Sequence, residues 1–358
     1  MTASPTERRS RAGSAPAPIV DERVARTSAL RAALGRPELG AVVGAVAVFV
    51  FFLYFAPSFR TGPGIANVLD AASLLGIMAV GVALLMIGGE FDLSAGVQTA
   101  SSALFCTITA YQLTLNVWVG VAAALVVSLA VGALNGIMLV KTRLPSFIVT
   151  LGTFFVLQGL NLAVTKQVTG TVLATGVATL DGWGSVQKVF AGTLTLGGVD
   201  LKVSVLWWLV LVVLGTLVLT RTRFGNWVYA AGGGAGAARQ VGVPVGRVKV
   251  LLFMGVSFCG WVVGMIVMAR SGSVQANLGI GQEFEYIIAA VIGGCLLTGG
   301  YGSAIGAALG ALIFGMTKQG IPAAQWDNDW YKLFLGVMLL SATVLNSVVR
   351  RRASGDRD

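Results

Sequence analysis

Long apolar runs dictate what this chain can be. A helix crosses bilayer hydrocarbon in about 20 mostly apolar residues, because a helix satisfies its own backbone N–H and C=O groups there. Ten such runs can be placed, near residues 39–56, 68–87, 93–111, 117–140, 146–165, 203–220, 250–269, 286–300, 303–321 and 331–349. They predict an all-α integral membrane protein of about ten transmembrane helices, with residues 39–349 as one polytopic domain. Residues 1–38, rich in Arg, Ala, Ser and Pro, read as a disordered basic tail, and 350–358 as a short C-terminal tail. With 56% hydrophobic and 11% charged residues, a soluble enzyme is excluded. No histidine occurs, which removes the usual general base, the commonest metal ligand and the usual proton switch. No catalytic residue, metal site or cofactor in this chain is therefore expected. Cys106, Cys259 and Cys295 lack paired spacing and read as small buried hydrophobes.

The formal charge of +10 raises the question of nucleic acid, but its distribution answers otherwise. With ten spans and a cytoplasmic N-terminus, the inner segments collect 18 of the 25 basic residues, among them Lys141, Arg143, Arg221, Arg223, Arg239, Arg247 and Lys249. The outer side holds Arg60, Lys166, Lys188, Lys202, Arg270, Lys318 and Lys332. That asymmetry is the signature of cytoplasmic loops, so both termini are placed inside and nucleic-acid binding is set aside. The first apolar run begins after too long a polar lead, and is itself too long, for a cleaved signal sequence. Two hydrophilic stretches remain for partners: 166–202 outside and 221–249 inside.

Within the inner stretch, Ala235 to Val241 has helix-forming residues, Gly242 can cap it, and Pro244 stops it, so a short helix braced by turns is predicted. The plain alternative is a basic loop that fixes topology. GGEFDLSAG at 88–96 poses a sharper choice. Either it is a cytoplasmic turn, with Asp92 capping the next helix and Glu90 in water, or it is a broken helix inside the membrane that lines a path for a polyhydroxylated solute. A second glycine break, TGGYGSAIG at 298–306, echoes it and suggests an internal repeat, although small residues also recur wherever membrane helices pack closely. Glu283 and Glu285 read as a solvated outer loop or as contacts for a delivering protein.

Several stretches together resemble the permease subunits of ribose-type monosaccharide ABC importers. GEFDLSAG at 89–96 resembles the family's Gly-Gly-Ile-Asp-Leu-Ser signature, and NGIMLVKTRLPSFIVTLGT at 135–153 its Asn-Gly, basic turn and Phe-Ile-x-Thr-Leu-Gly run. GGGAGAARQVGVPVGRVKV at 232–250 resembles its cytoplasmic coupling loop, and VIGGCLLTGGYGSAIGAALGALIFG at 291–315 its late glycine-rich pair. The resemblance covers about residues 40–350 in order. It implies a multi-pass protein of the bacterial cytoplasmic (inner) membrane that imports a monosaccharide or similar solute. A cytosolic ATPase subunit, a periplasmic or surface solute-binding protein, a second permease copy forming a homodimer, and membrane lipid are the implied partners. ATP would be bound by the separate subunit. The chain itself agrees on that point, since it contains no Gly-Lys pair and so no phosphate-cradling P-loop.

The departures also carry information. Glu90 stands where the family pattern has its second glycine, and Ala235, Gly236 and Ala237 stand where the coupling loop commonly has Glu-Ala-Ala. The candidate coupling residues are Ala235, Ala237, Arg239, Gly242 and Pro244. The candidate path residues are Gly89, Glu90, Asp92, Ser94, Asn135, Thr150, Thr153 and Gln158, whose carboxylate, amide and hydroxyl groups suit a hydroxylated load. Nucleosides and polyols fit the same vocabulary. An ion-coupled secondary transporter is the competing class, disfavoured because the acids cluster near span boundaries.

Overall fold

A computed structural model describes residues 38–354, with side chains described through 344. The tail expectation for 1–37 lies outside the described residues. Twelve α-helices occur among them: α1 Glu38–Phe55, α2 Gly62–Ile87, α3 Ala95–Gln112, α4 Val117–Thr142, α5 Ser146–Thr169, α6 Trp183–Ala191, α7 Val203–Arg221, α8 Arg223–Gln240, α9 Val245–Ser271, α10 Gln282–Ile292, α11 Ala304–Ala323 and α12 Trp330–Ser354. Seven of them (α1, α2, α4, α5, α7, α9 and α11) are long and apolar enough to cross a bilayer. The protein is thus an all-α membrane protein. The run expected at 286–300 is helical only in its first half. α10 has 11 residues, roughly 16 Å, well short of a bilayer core. The rest is an irregular turn with Gly294, Gly299, Gly300 and Gly302 at positive φ. The basic residues expected after 349 begin inside α12, which runs on to Ser354.

Small residues set which helices pack. On α11, Gly315 faces Ala72 and Val68 of α2, and Gly132 and Gly136 of α4 face Phe253 and Val250 of α9. A missing Cβ lets backbones approach, which is how membrane helices gain packing without a hydrophobic driving force between them. α2, α9 and α11 are accordingly the buried helices, with α1 and α5 peripheral.

One face carries an ordered cap over residues 170–202, where the sequence suggested only a hydrophilic stretch. β1 (Leu173–Ala174) pairs antiparallel with a later strand (Val274–Gln275), Leu173 opposite Gln275. α6 is amphipathic and buries Val186 and Phe190. The Phe190 ring stacks on Trp207 of α7 at 5.6 Å and meets Trp261 of α9 edge-on. A hairpin follows, Thr193–Leu196 with Val199–Lys202, its turn made by Gly197 and Gly198 at φ 58° and 81°, the geometry that two-residue hairpin turns prefer. On the opposite face lies α8, capped by Thr222, whose Oγ1 accepts from the Gly225 N–H at 3.1 Å. α8 leaves helical geometry at Gly234, giving two pieces.

Ion pairs pin antiparallel α2 to α9 at both ends. On the hairpin face Arg270 reaches Asp70 with two N–H groups, at 2.5 and 3.2 Å, and Ser204 of α7 donates to the same carboxylate at 2.8 Å. On the basic face Lys249 pairs with Glu90. Their partners Lys249 and Arg270 are twenty-one residues apart on the unbroken α9, roughly 30 Å along a helix, which matches bilayer hydrocarbon.

Candidate functional site

The stretch after α2 is held by side chains from three other helices. Gly88 closes the last turn of α2 and Gly89 bends the chain at φ 85°. The next residues run irregularly to Ala95, so their N–H groups need partners that no helix supplies. α5 provides two of them: Ser146 Oγ accepts from the Phe91 N–H at 3.1 Å, and Thr150 Oγ1 from the Leu93 N–H at 3.0 Å. The four-residue and three-residue steps from Ser146 to Thr150 to Thr153 put these hydroxyls on one helix face. Asp92 Oδ1 accepts from Ser94 twice, from the N–H at 2.8 Å and the hydroxyl at 2.5 Å. Asn135 of α4 donates to Ser94 Oγ at 3.1 Å, and Thr153 donates to Asn135 Oδ1 at 2.6 Å.

Six of the eight expected path residues therefore meet around one break: Gly89, Asp92, Ser94, Asn135, Thr150 and Thr153. Asp92 is 2% exposed, and Asn135 and Thr150 are fully buried. Glu90 flanks the group and turns to Lys249. Gln158, half-buried and five residues past Thr153, is not joined to it. Asn135 lies seven residues before the end of α4, so the group sits roughly 10 Å inside that helix end. The break is thus not a free loop. It is a buried segment near the α4 end that carries Lys141 and Arg143, with Asp92 turned onto the start of α3.

The second glycine break lies directly against the first. Gly299 packs on Gly89 and Gly232, and the Gly300 N–H donates to the Ile87 carbonyl at 2.8 Å. Tyr229 of α8 donates to the Gly302 carbonyl at 2.9 Å, and burial raises its phenol above the ordinary range. The junction thus joins α2, α8 and the turn before α11 through backbone contacts that only glycine permits.

The candidate coupling segment folds as its sequence predicted, a short helix ended by a glycine turn. The second piece of α8 ends at Gln240, Gly242 turns at φ 86°, and its N–H and that of Val243 bond back to the carbonyls of Arg239 (3.1 Å) and Ala238 (3.0 Å). This is the two-bond C-terminal cap that glycine serves. Ala235 is half-buried, Ala237 and Arg239 are exposed, Pro244 precedes α9, and Val241 stands 80% exposed at the tip.

Sequence reasoning missed Ser146, Lys249 and Gly232, whose partners lie far away in the chain and give no local signal. It also misplaced Glu283. Instead of a solvated loop, Glu283 is 3% exposed in the first turn of α10, against Gly96 at the start of α3, and accepts from the Gly281 N–H at 3.2 Å.

Residues 64–343 match the family described as branched-chain amino acid transport system / permease component. The ribose import permease protein of Escherichia coli (strain K12) is 30% identical over 299 residues, 82% of this chain and 88% of the relative. The autoinducer 2 import system permease protein of Enterobacter sp. (strain 638) is 30% identical over 326 residues, 90% of each chain. The xylose transport system permease protein of Escherichia coli (strain K12) is 27% identical over 367 residues, 87% of this chain and 92% of that one. No solved structure matches the chain.

Proposed function

The chain belongs to the branched-chain amino acid transport system / permease component family, and from that premise we propose that it is the membrane-spanning subunit of an ATP-driven, binding-protein-dependent importer of a monosaccharide or similar polyhydroxylated solute. The observation that carries this reading is the link between the break and the exposed turn. Gly242 and Pro244 lead straight into α9, and one turn further Lys249 grips Glu90 beside the Asp92 group. A partner that moves the turn would move α9, and with it the wall of the break.

In this reading the chain crosses the bacterial cytoplasmic (inner) membrane ten times with both termini inside, the short α10 and its glycine turn serving as one crossing. A cytosolic ATPase subunit docks on Ala235, Ala237, Arg239, Gly242 and Pro244. A solute-binding protein delivers to the hairpin face, a second copy completes the path, and bilayer lipid surrounds the exposed apolar faces. Gly89, Glu90, Asp92, Ser94, Asn135, Thr150, Thr153 and Gln158 form or support the path wall. The Asp, Asn and Thr groups offer donors and acceptors that a sugar, polyol or nucleoside can use.

Reconstitution in vesicles with the ATPase encoded beside it and a matching binding protein tests the class. Uptake of ribose or xylose is expected to require ATP hydrolysis and the binding protein. Uptake that persists on a proton or sodium gradient without ATP would overturn the reading in favour of secondary transport.

A further inference from the structure

Two cavities open side by side where α4 and α9 end on the basic face. One, of about 730 Å³, is walled by Leu139, Arg143, Arg239, Lys249 and Glu90. The other, of about 500 Å³, is walled by Ile137, Val140, Val250 and Leu251, with Lys141 and Arg247 at its edge. Val140 and Gly246 line both, so the cavities adjoin at the α4–α9 seam.

The seam is two-toned. Ile137, Val140 and Leu251 are exposed by 42%, 41% and 51%. Ile137 lies five residues from the end of α4, and Leu251 six from the start of α9, roughly 8–9 Å inside the helix ends. The cations lie at those ends. Glu90 is the only carboxylate in either wall and is already held by Lys249. The two ion pairs among the described residues leave Lys141, Arg143, Arg239 and Arg247 without an acid.

We infer that this seam is a binding site for one anionic phospholipid of the adjoining leaflet, its phosphate among Lys141, Arg143 and Arg247 and its acyl chain along Ile137, Val140 and Leu251. Charge and shape select the occupant. A zwitterionic lipid brings a cation of its own beside its phosphate and leaves the excess positive charge uncompensated, and a soluble anion leaves the apolar wall bare. Basic clefts between membrane helices at the interface favour acidic headgroups on the same grounds. The site deepens the permease reading, because Arg239 of the coupling segment and the Glu90–Lys249 pair share its wall. A lipid seated there would brace the segment on which the ATPase docks.

The test uses the full chain, purified in mild detergent from vesicles of equal phosphatidylglycerol and phosphatidylcholine, with retained lipid measured by mass spectrometry. The parent is expected to retain phosphatidylglycerol preferentially. Lys141→Gln and Arg247→Gln should each reduce that preference by about fivefold. Gly246→Leu keeps every cation but fills the seam, where even a Cβ comes within 3.2 Å of Val140, and it should reduce retention of phosphatidylglycerol as well. Equal retention of both lipids by the parent overturns the inference. So does a Gly246→Leu protein that retains lipid like the parent, or displacement of the lipid by inorganic phosphate, which identifies a soluble-anion site. Lipid retention is read without transport, so a failed uptake assay leaves this result standing on its own.

Discussion

Asp92 makes two demands that one substitution can separate. Its Oδ1 holds the Ser94 N–H and hydroxyl at the entry to α3, and an amide oxygen accepts those bonds about as well as a carboxylate. Asp92→Asn should therefore leave abundance intact, whereas Asp92→Ala orphans a buried N–H and should cost about 1–2 kcal/mol. Charge-assisted bonds to solute hydroxyls are roughly twice as strong as neutral ones, so uptake by Asp92→Asn at matched protein level is expected to fall severalfold. Parental uptake by that variant would reduce Asp92 to a support of the turn before α3, whose N-cap residue is Ser94 and not the Asp92 that the sequence suggested. Glu90 gives a different prediction. Its pair with Lys249 is largely shielded, with side chains 10% and 15% exposed. Removing one partner of such a pair strands the other, so Glu90→Gln is expected to lower stability by about 1–3 kcal/mol, the cost of leaving a shielded polar group unpaired. The double variant Glu90→Gln/Lys249→Met should recover much of that loss in a double-mutant cycle followed by thermal unfolding. Additive losses would show that the two groups do not interact.

Elements meet at glycines, and neighbouring glycines make opposite demands. A Cβ on Gly232 would collide with the Ile87 carbonyl and the Gly300 N–H, whereas one on Gly233 meets nothing within 4 Å. Gly232→Ala should therefore force α8 away from α2 and sharply lower the yield of folded protein, and Gly233→Ala should behave like the parent. Equal yields for the two would mean that α8 is free to move off the junction. Gly242 differs again: open space surrounds it, but its φ is 86°. An L-residue in that conformation costs about 1–2 kcal/mol, and a β-branched one more. Gly242→Val is expected to insert normally yet copurify less ATPase. Unchanged copurification would make the turn a spacer. The turn was legible in the sequence because Gly242 and Pro244 act within a few residues of the helix they end. The Glu90–Lys249 pair was not, since 159 residues separate its members. α10 misled for another reason. Glycine, leucine and isoleucine keep 286–300 apolar whether the backbone is helical or a glycine turn packed against other glycines, and hydropathy does not distinguish the two.

At the scale of the whole molecule, hydropathy located most helices because it averages over windows as long as a bilayer is thick, but the direction of each crossing rests on charge. The basic face gathers Lys141, Arg143, Arg221, Arg223, Arg239, Arg247 and Lys249, and the hairpin lies at the opposite helix ends. If positive charge marks the cytoplasm, the hairpin is outside. Reporter fusions decide this, and the structure chooses where to put them. Val186, near the middle of the 166–202 stretch, is fully buried in α6, so an insertion there would disrupt the cap it was meant to locate. Gly197 and Gly198 form the hairpin tip and have nothing within 4 Å, so an insertion between them is tolerable. A reporter there should be accessible only from the outside, and reporters at Ser10 and Ser354 only from the cytoplasm. An odd number of crossings between the tip and the C-terminus is needed for that outcome. α7, α9, α10 with its glycine turn, α11 and α12 supply five, because the turn before α11 packs on Ile87 and Gly232 at the basic face. A tip and a C-terminus on the same side would mean that the ten-crossing topology has to be abandoned.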